Sequence, residues 1–282
     1  SRGLGDVYKR QNPHSLSSNF VRACCEDNLG NIWIGTFNGL NRYNKITGLF
    51  QNHTASDTQA DGLTHSSIWC IVKDNQGTLW LGTYFGGVNY FNPEYEIYTR
   101  YSYSSNEKKG LSNPVVGRTI EDKDGNLWIG TEGGGLNYYN RRTREFKWYR
   151  PQEGRNSISH NNVKALYYDA DKEIIWIGTH LGGLNKLDIR SGHFTHYRME
   201  EGNPATLPSD IIRDIIPYKS LLIVATQNGV CLFNPANGQC QQLFKDSKEG
   251  KSIKMIADVT FDSEGTLWIA ATGEGVFSYR FD

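Results

Sequence analysis

Short apolar runs of four to six residues recur along the chain, each broken by Gly, Asn or Asp, and no stretch sustains a 3.6-residue period. The pattern predicts strands, and no helix that could build βαβ units. The runs also repeat. Asn31-Ile-Trp-Ile-Gly-Thr36 returns as Thr78-Leu-Trp-Leu-Gly-Thr83, Asn126-Leu-Trp-Ile-Gly-Thr131, Ile174-Ile-Trp-Ile-Gly-Thr179, Ser220-Leu-Leu-Ile-Val-Ala-Thr226 and Thr266-Leu-Trp-Ile-Ala-Ala271. Trp33, Trp80, Trp128, Trp176, Leu222 and Trp268 are 47, 48, 48, 46 and 46 residues apart, within the period of about 40 to 50 typical of propeller blades.

Each repeat divides into four strand-like pieces. The first is apolar and begins at Val21, Ile68, Val116, Val163, Ile212 and Ile256. The Trp-centred block is the second. The third opens at Gly39, Gly87, Gly135, Gly183, Gly229 and Gly275, and a short fourth carries Phe50, Tyr98, Phe146, Phe194 or Phe244. The predicted fold is all-β: a β-propeller of four-stranded antiparallel blades, with boundaries near 12-57, 58-105, 106-152, 153-200, 201-246 and 247-282. The sixth blade reaches only its third strand by Asp282, so a seven-bladed intact propeller is the expectation.

Asp-x-x-Gly recurs between the first two strands at Asp27/Gly30, Asp74/Gly77, Asp122/Gly125 and Asp262/Gly265. Asp opens a turn through its side-chain acceptor and Gly takes the positive φ that follows. A calcium loop is the alternative, since Asp122-Lys-Asp124-Gly125-Asn126 resembles the start of an EF-hand, but the distal acidic ligand is missing. The repeated Trp residues are predicted to fill the space between blades rather than stack sugars, and Gly35 and its equivalents to admit a neighbouring sheet.

Thirty Gly, sixteen Tyr and twelve Phe agree with a turn-rich β protein. Lys plus Arg and Asp plus Glu balance at thirty each without blocks, which argues against nucleic acid or an anionic membrane as partner. No apolar run approaches the about 20 residues of a membrane span, so no membrane insertion by this segment is expected. Five cysteines and seven histidines show no metal-ligand spacing, and no metal or cofactor is expected. Cys231 and Cys240 flank a predicted hairpin turn and could face each other across it. Ser1 to Gln11 shares nothing with the repeats and reads as the translation of a transposase sequencing-library adapter, with a disordered N-terminal tail as the alternative; natural sequence is expected from Asn12, inside a longer gene.

Strand reversal places the turns between second and third strands on the same face as the long connections between blades. Those turns vary while the framework does not: Phe37, Tyr84 with Phe85, Glu132, His180, Gln227 and Glu274. Variation on a constant scaffold marks a binding face. Arg22, Trp69, Arg118, Lys164 and Arg213 fall near the second or third position of the first strands, where cations and an indole could grip carboxylate or sulfate groups and stack a sugar. The competing reading pairs these cations with Asp214, Asp258 or loop carboxylates.

Ile120 to Tyr139, Ile-Glu-Asp-Lys-Asp-Gly-Asn-Leu-Trp-Ile-Gly-Thr-Glu-Gly-Gly-Gly-Leu-Asn-Tyr-Tyr, resembles the two-component regulator propeller repeat. Leads such as Ser15-Leu-Ser-Ser-Asn, Gly110-Leu-Ser-Asn-Pro and Ser157-Ile-Ser-His-Asn are similar to that family too. Blade 5 departs, with Leu222 and Ala225 in place of Trp and Gly. The resemblance implies a periplasmic sensor region of a hybrid histidine kinase, with tandem propellers, an immunoglobulin-like connector, a membrane helix and a kinase. It implies recognition of oligosaccharides and signalling through a homodimer, without catalysis. The alternatives are a propeller-type polysaccharide lyase, for which Glu132 and His180 are the candidate groups, and a protein-interaction scaffold.

Overall fold

The computed structural model describes residues 14–55, 62–93, 97–244 and 253–281. The adapter-like segment, the boundary at Asn12, the side chain of Tyr98 and the end at Asp282 lie outside them. Among the described residues the fold is an all-β propeller of six antiparallel sheets, each meandering in chain order. Five sheets have four strands and the sixth has three. One 3-10 turn, Glu107–Lys109 capped by Asn106, interrupts the all-strand pattern.

In blade 1 the strands are Val21–Glu26, Ile32–Thr36, Gly39–Tyr43 and Phe50–His53. The first strands of the other blades begin at Ile68, Val116, Val163, Ile212 and Ile256, the positions that the apolar pattern predicts. Blade 5 differs from expectation in two places: Ile223, opposite Ile216 as Trp176 is opposite Tyr167, holds the Trp position in place of Leu222, and the fourth strand is displaced. It is Cys240–Gln242, and Phe244 lies beyond it with a positive φ of 63°. Cys240 pairs with Phe233 as Phe50 pairs with Tyr43 and Phe194 with Leu187, so a cysteine holds the place where the repeat pattern predicts an aromatic.

The chain forms two compact units, residues 1–148 and 149–282. In the first, Trp33 is buried among Leu63, Ile68, Leu79, Leu81 and Phe91, and Trp80 among Leu111, Val116, Leu127 and Ile129. In the second, Trp176 is buried with Ile212, Leu222 and Phe233. Each indole thus fills the gap to the next sheet, a contribution of about 1.5 to 3 kcal/mol from burial. Trp268 of blade 6 is 41% exposed. The glycine two residues after the Trp sets how closely sheets approach. A Cβ on Gly35 would lie 2.7 Å from Ile68 Cγ2, on Gly82 2.7 Å from Val116 Cγ1, and on Gly178 2.5 Å from Ile212 Cγ2.

The Asp-x-x-Gly turns are hairpins. Asp27 Oδ1 accepts the amides of Leu29 and Asn31, both at 2.9 Å, while Oδ2 accepts Trp33 Nε1 at 2.7 Å. Asp74, Asp122 and Asp262 repeat the arrangement with Trp80, Trp128 and Trp268 at 2.8, 3.1 and 2.8 Å. These bonds from the turn amides and the indole make the motif a hairpin turn and not the start of a calcium loop. Burial raises the Asp27 pKa, but the bonds from Asn31, Trp33 and the turn amides outweigh it and hold the carboxyl below its ordinary value. Blade 4 has Ala170 six residues before its Trp, and Trp176 Nε1 is buried without a partner.

Cys231 and Cys240 are free thiols. They do not face each other directly, since Cys231 lies opposite Gln242 and Cys240 opposite Phe233. They share the same side of the sheet one step apart, and a bond to Cys240, with burial, pushes the Cys231 thiol well up.

Candidate functional site

Each blade brings its second-to-third turn beside the segment that leads into its first strand. The amide of the turn residue donates to the carbonyl just before the first strand: Phe37 to Phe20, Tyr84 to Ser67, Glu132 to Val115, His180 to Asn162, Gln227 to Ile211 and Thr272 to Met255. The predicted turn positions of blades 1 to 5 are thus structurally equivalent; in blade 6 their counterpart is Thr272, while the predicted Glu274 lies two residues farther along the same turn.

A second hook fastens the lead segment. Asn41, Asn89, Asn137 and Asn185, each fully buried on a third strand, accept through Oδ1 the amides of Ser17, Thr64, Ser112 and Ser159 at 2.8, 3.0, 2.8 and 2.8 Å. A buried amide side chain needs such partners, and its Nδ2 finds one in the second-strand carbonyls of Ile34, Ile129 and Ile177. In blade 5 both partners change together: Pro208 has no amide to donate and Cys231 stands in place of Asn. Losing donor and acceptor at once avoids stranding either.

The first strands carry the other predicted positions on a recurring irregularity. In every blade the register between first and second strands slips at the start of the first strand, between Val21 and Ala23 in blade 1, Ile68 and Cys70 in blade 2, Val163 and Ala165 in blade 4, and Ile212 and Asp214 in blade 5. Arg22, Trp69, Lys164 and Arg213 are the bulged residues. Arg118 lies within the equivalent slip of blade 3, between Val116 and Thr119, and Ala257 occupies the place in blade 6. A bulge adds a residue that is unpaired in the ladder and re-aims its side chain, a device common beside functional sites.

Within the first unit these positions come together. The Arg22 guanidinium lies over the Trp69 indole, 4.2 Å from its centroid. Tyr84 stacks on Trp69 with centroids 5.6 Å apart, Phe85 meets Tyr84 edge-on at 4.3 Å, and His65 meets Phe85 at 6.1 Å. Arg22 is thus engaged by an aromatic face, a cation–π contact worth about 0.5 to 2 kcal/mol. Phe85 and Phe37 are 57% and 55% exposed, and Phe20, beside Phe37, is 72% exposed. Phe20 and His65 were not predicted; their signal was the lead segment, aligned on its Leu-Ser or Leu-Thr pair. Arg118 and Glu132 are half-buried in blade 3.

Within the second unit, Lys164, His180, Arg213 and Gln227 are all half-buried. Asp214 and Asp258, the expected carboxylate partners, each accept the amide of the next residue, Ile215 and Val259, through Oδ1. Burial, then the nearby Arg198 charge, lowers the His160 pKa. No group of metal-ligating side chains occurs among the described residues.

Residues 15–38, 62–85, 110–133 and 157–180 match the model of the two-component regulator propeller. Each match runs from the lead segment to the turn that the hooks join. These are two-component regulator propeller repeats. The regulator-propeller repeats of blades 1 to 4 keep the Asn hook that blade 5 has lost. Among solved structures, the chain is similar to an extracellular domain of a Bacteroides thetaiotaomicron protein described as a hybrid two component system, BT3049, with a TM-score of 0.80 and 21% identity over 94% of this chain. It spans 34% of that chain, about a third of its length. PorZ, a surface component of the type-IX secretion system of Porphyromonas gingivalis, gives a TM-score of 0.67 at 20% identity over 92% of this chain and 38% of its own. Virginiamycin B lyase from Staphylococcus aureus gives 0.65 at 11% identity, covering 97% and 86%. At these identities the likenesses establish the fold. A search of curated proteins finds no match.

Proposed function

We propose that this regulator-propeller chain is a non-catalytic, extracytoplasmic sensor segment that binds an oligosaccharide on its loop face and passes the signal to a histidine kinase. The observation that carries this reading is the Arg22–Trp69–Tyr84–Phe85 cluster: variable side chains, set on a bulge and a turn that every blade shares, assembled into one partly exposed aromatic and cationic surface. Aromatic faces suit sugar rings, and a guanidinium suits the carboxylate or sulfate of an acidic sugar. The repeat match and the likeness to the BT3049 domain support the sensor assignment. The periplasm and a dimeric parent kinase belong to the same proposal.

Isothermal titration calorimetry of the chain against acidic and neutral oligosaccharides, with product analysis, tests it. Arg22→Ala is expected to weaken an acidic oligosaccharide about 10-fold, the loss of one charge-assisted contact of about 1.5 kcal/mol. Unchanged affinity excludes the cluster as the site, and turnover of the sugar excludes a non-catalytic role.

A further inference from the structure

The start of every complete blade carries one more bond, two residues before the carbonyl that receives the turn amide. Ser18 Oγ accepts the amide of Phe20 at 3.2 Å, Asn113 Oδ1 that of Val115 at 2.9 Å, and Ser209 Oγ that of Ile211 at 3.1 Å. In blades 2 and 4 the acceptor is an imidazole: His65 Nδ1 takes the amide of Ser67 at 3.0 Å, and His160 Nδ1 that of Asn162 at 3.1 Å. The acceptors in blades 1, 3 and 5 cannot titrate. An imidazole accepts at Nδ1 only while neutral, with its proton on Nε2.

We propose that His65 and His160 make the loop face acid-sensitive in blades 2 and 4, each releasing its backbone hook when a proton from solvent binds Nδ1. Protonation turns the acceptor into a donor, which then faces the donating amide of Ser67 or Asn162. The consequence runs along the same chain of bonds. Ser67 O receives the Tyr84 amide and Asn162 O the His180 amide, so the loosened lead carries a turn with it. In blade 2 that turn holds Tyr84 and Phe85, and His65 itself meets Phe85. The effect on ligand affinity rests on the reading of that cluster as the binding surface; the loss of the hook does not.

The charged surroundings differ between the two. His160 has Arg198 near it, whose guanidinium is 3.4 Å from Asp210 and also donates to Leu181 O. The charged side chain fastened to the lead of His65 is Arg100, which donates to Gly62 O at 2.9 Å. Because burial and Arg198 depress the His160 pKa, its neutral form is favoured in the fold. The stability it contributes is present above the ordinary imidazole pKa and is lost as pH falls through the lower, folded value.

Amide hydrogen exchange read by NMR on the ligand-free chain, between about pH 7.5 and about pH 5, tests this, with exchange corrected for its intrinsic pH dependence. Protection at Ser67 and Asn162 is expected to fall by up to about 10-fold per pH unit below the imidazole pKa. Protection at Val115 and Ile211, capped by Asn113 and Ser209, is expected to stay level in the same sample. His65→Asn and His160→Asn, which install the acceptor that blade 3 uses, are expected to abolish the fall. The proposal is overturned if Ser67 and Asn162 track Val115, or if the fall persists in the Asn variants. Since no ligand is present, failure to bind a sugar cannot produce either result.

Discussion

Asp74→Ala should be among the most damaging single changes in the chain. The Asp74 side chain is fully buried and accepts the amides of Gln76 and Thr78 at 2.9 Å each, Trp80 Nε1 at 2.8 Å and Arg141 Nη2 at 2.5 Å. Arg141 comes from the next blade, lies 4.9 Å over the Trp80 ring and is 3.4 Å from Glu121, so the carboxylate joins two sheets as well as closing a turn. Truncation strands a buried indole N–H, at about 1 to 3 kcal/mol, and breaks a buried charge pair, at about 3 to 5 kcal/mol. These groups share one acceptor, so the costs overlap, and the expected loss is about 3 to 5 kcal/mol. That is a large fraction of the about 5 to 15 kcal/mol that keeps a typical domain folded. Asp262→Ala removes the same turn bonds and the same indole bond, but around a Trp268 that is 41% exposed, where water replaces what is lost. It should cost clearly less. Urea unfolding followed by intrinsic fluorescence, with m checked for constancy, measures both. Equal losses, or an Asp74→Ala loss below about 1 kcal/mol, would refute the argument that burial of the carboxylate–indole bond sets its worth.

Gly82→Ala should destabilise by about 1 to 3 kcal/mol, because its Cβ would meet Cys70 Sγ at 2.5 Å and Val116 Cγ1 at 2.7 Å; a thermal melt unchanged from the wild type would show that the sheets can separate freely. Trp176→Phe should be tolerated better than Trp80→Phe by about 1 to 3 kcal/mol, since the first removes an indole N–H that has no partner and the second takes a partner from Asp74; denaturant midpoints that rank the other way would contradict this.

The blade pattern was legible because an apolar residue stands at the same distance before the Trp, as at Val21, Ile68 and Val116. Where a small residue replaces the marker, the pattern misleads: Cys240 fills the fourth-strand place of blade 5, and Phe244, the nearest aromatic, does not. The bond from Asp27 to Trp33 spans six residues and exists only once the hairpin has formed, so the Asp reads from sequence as a turn residue alone. Asn41 and Ser17 are farther apart still, 24 residues, and nothing local in Gly-Leu-Asn announces a buried acceptor. For the candidate site, the equivalence of the turn positions was legible as variation on a constant repeat. That Arg22 would rest on Trp69, and Trp69 on Tyr84, depends on bulges that a hydrophobic pattern does not encode.

The Asn hook also bears on how such a chain can change length over evolution. Ser17 with Asn41, Thr64 with Asn89, Ser112 with Asn137 and Ser159 with Asn185 all join the lead of a repeat to its own third strand. A cut made between one fourth strand and the following lead severs none of these bonds. Each repeat is therefore a cassette that recombination can duplicate or delete whole, with its tether inside it. In blade 5 the tether is absent at both ends at once, at Pro208 and at Cys231, so that cassette carries neither an unmatched donor nor an unmatched acceptor.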